Sequence, residues 1–387
     1  MNSTVEEILT RRVTNIIPSK ARLEELLNSG KKLNIYHGID PTATRIHIGH
    51  AIPLRKLQEF VELGHNVTFL IGDFTALIGD TSDKDSERPV LTYTEIKRNF
   101  LTYKKQASKI LDFTKVSVKF NSSWLKKLKF AEIIKLCQEF SFGDFAGREL
   151  IKKRLKDKKK VGLHEALYPV MQGYDSYFLD TDIQIGGADQ TFNMMAGRVL
   201  QKNLKNKESY VLVTGYLTGT DGRKMSKSWG NAIWLTDTAD EIYGKAMSLP
   251  DELIIHYFEN ATNTDSGKIK EITKALKSGV NPIDLKKELA YRLVLELRNK
   301  KDALKAKNSF EKSFQKHTPE YTLKIKLQKT LTETIAPFTN LKSVGDAKRL
   351  IQQGGLTING DTVTDFSFRT KKDDTIKIGK KVFGKLI

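Results

Sequence analysis

The sequence predicts an α/β protein whose largest domain is built on a mostly parallel, doubly wound sheet. Short apolar segments with strand character alternate with segments whose apolar residues recur at helical spacing. The chain has 387 residues, of which 39% are hydrophobic, so it is long enough for two or three domains. In a doubly wound sheet, ligands bind beyond the carboxyl ends of the strands. The residues that follow each predicted strand are therefore the first candidates for a functional site.

The first strand and helix of this sheet are predicted between residues 33 and 64. "LNIYHGID" indicates a strand that runs into a glycine turn. The next segment, from His50 to Leu63, favours a helix, because Pro53 is tolerated in a first turn and Gly64 marks a stop. Its apolar residues at helical spacing are Leu54, Leu57, Phe60, Val61 and Leu63.

The same alternation continues to about residue 231. The further predicted strands, with their following turns or helices, are "NVTFLIGDFTALIGD", "KVSVKF", "DIQIGG" leading into "ADQTFNMMAGRVLQ", and "SYVLVTGYLTG". Beyond them, leucine-bearing helical patterns dominate residues 232–332. The last segment, 341–387, begins with a short helix after the capping-box-like "SVGD" and continues with the short strands "LTING" and "TIKIGKKVFGKL".

The net charge of the chain is strongly positive, at +19 with an isoelectric point near 9.6. Such an imbalance indicates a polyanionic partner, either nucleic acid or a membrane surface. Residues 97–160 contain 19 Lys and Arg against 6 Asp and Glu, and residues 341–387 contain 10 against 5. Either stretch is also compatible with an ordinary solvated face.

Several classes of protein are excluded by the composition. The apolar runs, such as Val67 to Ile71, are too short to span a bilayer, and the start "MNSTVEEILT" lacks the apolar core of a signal peptide. A single cysteine, Cys137, excludes an internal disulfide framework and a multi-cysteine zinc site. A buried structural role is favoured for this thiol over a catalytic one. We expect a soluble cytoplasmic protein without membrane partners.

Two histidines lie three residues apart in "PTATRIHIGH", residues 41–50. Next to a helix start, His47 and His50 can donate hydrogen bonds to a phosphate, since the backbone NH groups there already favour an anion. Gly49 would let that anion, or a purine ring, approach the backbone. Metal binding is less favoured because no third ligand stands at zinc spacing nearby. Structural histidines remain the alternative.

Two lysines also lie three residues apart, in "DGRKMSKSWGN", residues 221–231. Glycines and hydroxyl residues flank Lys224 and Lys227, which is typical of a loop that closes over a polyphosphate during a reaction. By composition alone, the segment could equally be an exposed basic turn.

Together, "PTATRIHIGH" and "KMSKS" resemble the two signatures of the class I aminoacyl-tRNA synthetases. The surrounding segments resemble the bacterial tyrosyl-tRNA synthetases over nearly the whole chain. These segments are "YHGIDPTA", "LIGDFTALIGD", "YPVMQGYDS", "QIGGADQ", "GTDGRKMSKS", "NPIDLKKELA" and "AKRLIQQGGLTING".

The resemblance implies a domain order. Residues 1–231 would form a Rossmann-type catalytic domain with a basic insertion at about 81–165, which would hold the acceptor end of tRNA and the homodimer interface. Residues 232–332 would form a helical tRNA-binding domain for the anticodon region. Residues 341–387 would form a small α+β, S4-like RNA-binding domain.

The resemblance also implies a two-step reaction. The tyrosine carboxylate attacks the α-phosphate of ATP, pyrophosphate leaves, and the tyrosyl group passes to the 3′-terminal ribose of tRNA(Tyr). Catalysis would be mostly positioning and charge neutralisation, with Mg²⁺ sharing in the latter. The residues that match the family's positions around the phosphates are Thr42, His47, His50, Lys84, Arg88, Lys224, Lys227 and Ser228.

Further residues match the family's substrate positions. Tyr36 and Asp175 correspond to the pair that meets the phenol hydroxyl, which is an effective filter against phenylalanine and one for which this family is the standard example. The residues that correspond to the surroundings of the ammonium group are Asp80, Tyr168, Gln172 and, close by, Gln190. Those that correspond to the ATP site are Gly38, Asp40, Gly49, Gly187, Asp189 and Lys227.

The sequence departs from the family pattern at a few positions. Pro53 and Ala188 stand where relatives often carry hydroxyl residues, and "IGDTSDK" lacks the usual Pro and Gly. None of these changes removes an expected ligand.

Two other functions stay open at this point. A tryptophanyl-tRNA synthetase shares the architecture but needs no pair of groups for a phenol, so Tyr36 and Asp175 favour tyrosine. An RNA-binding protein derived from an inactive synthetase would be expected to lose signature residues, whereas both histidines and both lysines are present.

Overall fold

The computed structural model describes residues 4–42, 44–79, 92–223, 225, 229–312, 321, 323–339, 342–379 and 382–387. The chain divides into two compact units, Met1–Ala303 and Leu304–Ile387. In the described part of the chain, no helix is both long enough and apolar enough to cross a membrane.

The first unit is built on a six-stranded sheet. In order across the sheet, the strands are β1 (Val13–Ile17), β6 (Tyr210–Thr214), β5 (Ile183–Gly187), β2 (Asn34–Ile39), β3 (Asn66–Ile71) and β4 (Ser117–Phe120). All neighbours from β6 to β4 pair in parallel, and β1 pairs antiparallel with β6. The mostly parallel sheet is therefore confirmed. The antiparallel edge strand β1 was not predicted.

The sheet changes direction of winding at β2. The chain passes from β2 to β3 on one side, and β5 adds later on the other side of β2. Helices must then leave opposite faces of the sheet, so a crevice opens at the carboxyl ends of β2 and β5. The strand β4 lies inside the stretch expected as a basic insertion, yet it forms the edge of this same sheet.

Helices cover the sheet and fill the connections. They are α1 (Val5–Thr10), α2 (Lys20–Asn28), α3 (Ala51–Glu62), α4 (Tyr93–Ala107), α5 (Ser122–Leu125), α6 (Phe130–Cys137), α7 (Phe142–Ala146), α8 (Glu149–Lys156), α9 (Leu163–Phe178) and α10 (Thr191–Lys205). Helix α3 confirms the predicted helix after "HIGH", since Leu54, Leu57 and Phe60 are fully buried along one face.

The far half of α3 is anchored by buried ion pairs. Lys56 Nζ lies 2.5 Å from Glu59 Oε2, and Glu59 Oε1 lies 2.5 Å from Arg12 Nη1. Arg55 Nη1 lies 2.8 Å from Glu296 Oε2 in the following helical region. Because removing one partner of a buried pair strands the other charge, these contacts fix the direction of α3.

The helical region that was predicted after residue 231 is present. Its helices are α11 (Ala239–Met247), α12 (Ile254–Ala261), α13 (Ser266–Lys277), α14 (Pro282–Leu297) and α15 (Lys300–Phe310). The Asn281 side chain caps helix α14, and Pro282 lies in its first turn. Its inward face contains Leu289, Ala290 and Leu293, all fully buried.

Within the described residues, the second unit contains a five-stranded sheet with two helices of its own, and the end of α15 from Leu304 onward also falls in this unit. The strand order is β7 (Leu323–Ile325), β11 (Val382–Leu386), β10 (Thr375–Ile378), β8 (Leu356–Ile358) and β9 (Asp361–Thr362), and the helices are α16 (Leu331–Ile335) and α17 (Val344–Gln352). The predicted terminal helix and strands are present here. The unit starts earlier than residue 341, because β7 pairs in parallel with β11.

Candidate active site

A cavity of about 260 Å³ lies at the carboxyl ends of β2 and β5, where the sheet changes its winding. The turns that follow β2, β3 and β5 and helix α9 contribute its walls, together with His50 just before α3, Tyr103 of α4 and Met194 of α10. Ten residues predicted for the site line it: Tyr36, Gly38, Asp40, Thr42, His50, Tyr168, Gln172, Asp175, Asp189 and Gln190.

The wall of this cavity at Tyr36 and Asp175 is deeply buried. Tyr36 is 1% exposed and Asp175 is 3% exposed. The Tyr36 hydroxyl has no hydrogen-bond partner among the residues that the structure describes. Burial, and next the charge of Asp175, raise the pKa of Tyr36 well above its usual value. A neutral phenol without a partner is able to donate to, or accept from, a ligand hydroxyl.

Asp175 is held by two donors. Trp124 Nε1 donates to Asp175 Oδ1 at 2.7 Å, and Asn121 Nδ2 donates to Asp175 Oδ2 at 3.1 Å. Burial nevertheless raises the pKa of Asp175 to about 8, against these two hydrogen bonds. Each carboxylate oxygen keeps a second lone pair, so the group is able to accept one more hydrogen bond from a ligand.

Hydrogen bonds continue from Asp175 to the wall of the cavity at Asp40. Asn121 Nδ2 also donates to Thr75 Oγ1 at 3.1 Å, and Thr75 Oγ1 donates to Asp40 Oδ1 at 2.7 Å. Tyr168 Oη donates to the other oxygen, Asp40 Oδ2, at 2.8 Å. Asp40 and Asp175 thus belong to one connected network, which orders both walls of the cavity together.

Gly72 makes room for this network. A Cβ atom at position 72 would lie 2.0 Å from Asp40 Oδ1 and 2.3 Å from Thr75 Oγ1. Real side chains never approach so closely, so any larger residue would displace Asp40. By contrast, a Cβ at Gly38 would meet only ordinary contacts at 3.7 Å. The missing side chain at Gly38 keeps the cavity open and is not required by the protein's own packing.

The two signature histidines lie at the start of α3. His50 is the residue before the first helical turn and borders the cavity. The His47 ring stacks beside it, with the ring centroids 3.8 Å apart, but does not line the cavity. Burial, and next the charge of His50, lower the pKa of His47 to about 2. His47 is therefore neutral at physiological pH, and its Nδ1 has no hydrogen-bond partner within the described part of the chain.

Gly49 has a packing role that the sequence did not indicate. A Cβ atom at position 49 would lie 2.9 Å from His47 Nδ1. The glycine therefore lets the His47 ring fold back against the helix start. The predicted close approach of a ligand to Gly49 stays a prediction, because Gly49 does not line the cavity.

The turn after β5 forms the opposite rim. A Cβ atom at Gly187 would lie 2.6 Å from Asp189 Oδ1, so this glycine accommodates the Asp189 side chain, although Gly187 itself does not line the cavity. Gln190 Nε2 donates to Asp189 Oδ2 at 3.2 Å. The Asp189 carboxylate therefore stands at the rim as an acceptor, which suits a ligand that carries hydroxyl groups.

Six predicted site residues lie outside the described residues: Asp80, Lys84, Arg88, Lys224, Lys227 and Ser228. Their assignment rests on the sequence. No group of three or more His, Cys, Asp or Glu in the described part of the chain could hold a metal ion.

The residues at the site that were not singled out from the sequence include His37, Thr75, Asn121, Trp124 and Gln184. Asn121 and Trp124 directly follow the strand β4, so the rule that polar residues after parallel strands form the site would have found them. His37 lines the cavity, with Nδ1 donating to the Ile185 carbonyl at 2.9 Å. Nothing in the local sequence distinguishes Thr75 or Gln184.

The chain is similar in sequence to known tRNA synthetases. The sequence profile of the family described as "tRNA synthetases class I (W and Y)" matches residues 28–315. A tyrosine–tRNA ligase of Carboxydothermus hydrogenoformans is 40% identical, over 98% of this chain and 97% of the relative. One from Thermotoga maritima is 38% identical, over 97% and 96%.

Solved structures of low identity share the fold. A C-terminally truncated mitochondrial tyrosyl-tRNA synthetase of Aspergillus nidulans superposes with a TM-score of 0.67 at 23% identity, covering 80% of this chain and 93% of that one. A tyrosyl-tRNA synthetase of Archaeoglobus fulgidus, solved with L-tyrosine, gives 0.62 at 23% identity, covering 79% and 100%.

Proposed function

The chain belongs to the tyrosyl-tRNA synthetases of bacterial type, within the class I tRNA synthetase family, and from this premise we propose how its residues activate tyrosine and charge tRNA(Tyr). The enzyme is a tyrosine–tRNA ligase. A tyrosine carboxylate oxygen attacks the α-phosphorus of ATP and pyrophosphate leaves. A ribose hydroxyl at the 3′ end of tRNA then attacks the tyrosyl carbonyl, and AMP leaves.

The observation that carries this assignment of residues is the connected network within one cavity. The phenol pocket, which we define as Tyr36, Asn121, Trp124 and Asp175, provides a buried acceptor held by two donors and a neighbouring hydroxyl. A tyrosine phenol would donate to Asp175 and accept from Tyr36. Phenylalanine would leave both groups unpaired, which is the costly outcome for buried polar atoms.

The tyrosine ammonium group would lie nearer the middle of the cavity. Tyr168 and Gln172 line this part, and the Tyr168 hydroxyl is oriented by Asp40. Gln190 stands on the opposite rim. With Asp80, from the sequence, these residues would supply the hydrogen-bond acceptors and the negative charge that an ammonium ion requires.

The nucleotide would occupy the other half of the cavity. Gly38 leaves room beside the end of β2, and Asp189 would accept the ribose hydroxyls. Thr42 and His50 would donate to the phosphates at the positive end of α3. His47, being neutral, would act through an N–H group and through packing against His50 and Gly49 rather than through a positive charge.

The nucleotide half of the cavity would also receive positively charged residues that are assigned from the sequence. We propose that Lys84, Arg88, Lys224 and Lys227, with the Ser228 hydroxyl, neutralise the departing pyrophosphate. Mg²⁺ bound to the ATP phosphates would share this charge. The described residues offer no group of carboxylates and histidines for a metal ion, which fits a Mg²⁺ held chiefly by the substrate's phosphates.

The basic regions support a role in binding tRNA. We also propose that the enzyme acts in the cytoplasm. Residues 97–160 and the terminal S4-like segment 341–387 have a large excess of Lys and Arg. We expect charging of tRNA to weaken about tenfold or more between 50 and 200 mM salt, while adenylate formation changes much less. Equal salt dependence of the two steps would contradict these tRNA contacts.

An exposed apolar face supports a homodimer. Phe130, Phe142 and Leu163 are 78%, 66% and 79% exposed, and Phe142 and Leu163 line a cavity of about 370 Å³ beside α9 and α10. Patches of this kind mark interfaces in soluble proteins. We propose that two copies of the chain meet here, and that Leu163→Asp shifts the mass of the particle in solution to that of a monomer.

The direct test of the function is amino-acid-dependent exchange of pyrophosphate into ATP. We expect exchange with tyrosine and none with tryptophan or phenylalanine, followed by charging of a defined tRNA(Tyr). Exchange with tryptophan instead would favour the tryptophanyl alternative. No exchange with any amino acid would favour an RNA-binding protein without synthetase activity.

A further inference from the structure

Helix α4 carries two buried amide side chains on one face. Asn99 and Gln106 are two helical turns apart and are 5% and 3% exposed. Neither residue lines the cavity, so neither can touch a bound substrate. Buried amides are costly unless their hydrogen-bonding groups are satisfied, and the partners of these two explain what they do.

Both amides bind the backbone of the segment that leads from β2 into α3. Asn99 Nδ2 donates to the Pro41 carbonyl at 2.9 Å, and Gln106 Nε2 donates to the Thr44 carbonyl at 2.8 Å. Gln106 Oε1 accepts from the Ile46 amide at 3.0 Å. The contacts connect positions that are 58 to 62 residues apart in the chain. They bracket Thr42 and immediately precede His47.

The Ile46 peptide is held from its other side as well. Its carbonyl accepts from the Leu235 amide at 3.0 Å, and the Ile48 amide donates to the Ile233 carbonyl at 2.9 Å. The segment 233–235 follows the lysine signature closely in the sequence. Ile46, in the histidine signature, is therefore bound by its backbone between α4 and the strand-like segment that comes after "KMSKS".

We propose that Asn99 and Gln106 are positioning residues for adenylate formation, which hold the backbone at Pro41, Thr44 and Ile46 so that Thr42 and His50 meet the ATP phosphates and His47 packs against His50. The inference rests on the proposed function. Misplacing catalytic groups by about 1 Å can reduce a rate by about 100-fold. The effect falls on ATP, because the hydrogen bonds of the phenol pocket involve neither residue.

The test replaces Gln106 by methionine, which keeps the length of the side chain and removes its hydrogen bonds. We expect kcat/KM for ATP in tyrosine-dependent pyrophosphate exchange to fall about 10- to 100-fold. The dissociation constant for tyrosine, measured by equilibrium dialysis without ATP, should stay within about twofold, because the phenol pocket is untouched. Asn99→Leu should show the same separation, and it serves as the test if Gln106→Met does not fold.

The matched control is Gln201→Met. Gln201 is also fully buried and donates to two backbone carbonyls, of Ser176 at 2.8 Å and of Thr181 at 3.2 Å, but it makes no bond to residues 41–46. It should lower the melting temperature without lowering kcat/KM for ATP. Wild-type ATP kinetics in Gln106→Met, or an equal loss in Gln201→Met, would overturn the inference. Absence of exchange in the wild-type enzyme would instead refute the proposed function.

Discussion

The two halves of the cavity are constructed in different ways. The phenol pocket is held by bonds between side chains: Asn121 and Trp124 both donate to Asp175, and Asn121 continues to Thr75. The nucleotide half is a backbone segment that remote side chains, Asn99 and Gln106, hold in place. A single hydroxyl is best recognised by a rigid, buried acceptor, whereas a triphosphate needs many NH groups and mobile cations. The difference predicts that mutations in the phenol pocket mainly change the binding of tyrosine, and that mutations in the nucleotide half mainly change the kinetics with ATP.

The largest separation is expected from Lys227→Ala. Loss of a cation at the departing pyrophosphate should lower kcat for tyrosine-dependent exchange by about 100- to 1000-fold, the range found for removal of one stabilising donor. Binding of tyrosine in the absence of ATP should not change. Stopped-flow measurement of adenylate formation, together with equilibrium dialysis of tyrosine, gives the two values. A similar loss of tyrosine affinity would contradict the prediction that the two halves act separately.

A pair of tryptophan substitutions compares the halves directly. Trp124→Phe removes a donor to Asp175 and should weaken tyrosine binding about tenfold or more, since hydrogen bonds to charged groups contribute about 1.5–3 kcal/mol. Trp234→Phe changes the ring that stacks on the Arg45 guanidinium, 4.6 Å from the ring centroid, beside the histidine signature. It should alter the KM for ATP and leave tyrosine binding unchanged. Equal effects on both substrates in either variant would contradict the comparison.

Changes of pH should affect tyrosine binding and stability with opposite signs. The pKa of Asp175 is raised to about 8, so the ionised carboxylate, which would accept the hydrogen bond of the substrate phenol, becomes more abundant as pH rises. Tyrosine affinity should increase by up to about tenfold per pH unit between pH 6 and 7.5. Without ligand, a raised pKa stabilises the fold below the unfolded-state pKa, and this stabilisation is lost as pH rises towards about 8.

Thermal unfolding with and without tyrosine tests both predictions, the rise of tyrosine affinity with pH and the fall of stability with pH. When tyrosine is absent, the melting temperature of Asp175→Asn should rise relative to that of the wild-type protein as pH increases. Asp182→Asn is the control, because Asp182 is equally buried but is paired with Lys207 at 3.0 Å, away from the cavity. It should reduce stability without changing the pH dependence of tyrosine binding.

The features predicted from sequence were those encoded locally. Helix α3 followed from the spacing of Leu54, Leu57 and Phe60, and the position of the cavity followed from the ends of β2 and β5. The network of Thr75, Asn121 and Trp124 was missed because its bonds join residues 46 to 54 positions apart. The strand β7 was missed because a segment of three residues shows too little periodicity. It forms a strand because it pairs with β11, far along the chain.

Residue roles were harder to predict than residue positions. The sequence predicted that His47 donates to a phosphate and that Gly49 lets a ligand approach the backbone; the structure adds that the His47 ring lies beside His50 and that Gly49 makes room for it. The His47 ring also contacts Trp234, from far along the chain, in a T-shaped arrangement with the ring centroids 5.7 Å apart. Such effects arise only when distant segments pack together.

The most direct test of the phenol pocket is the selectivity of Asp175→Asn between tyrosine and phenylalanine. The ratio of kcat/KM for the two amino acids in pyrophosphate exchange should be high in the wild-type enzyme. We predict that it falls at least about tenfold in the variant, while the KM for ATP stays within about twofold. An unchanged ratio, with exchange otherwise intact, would show that Asp175 does not read the hydroxyl group.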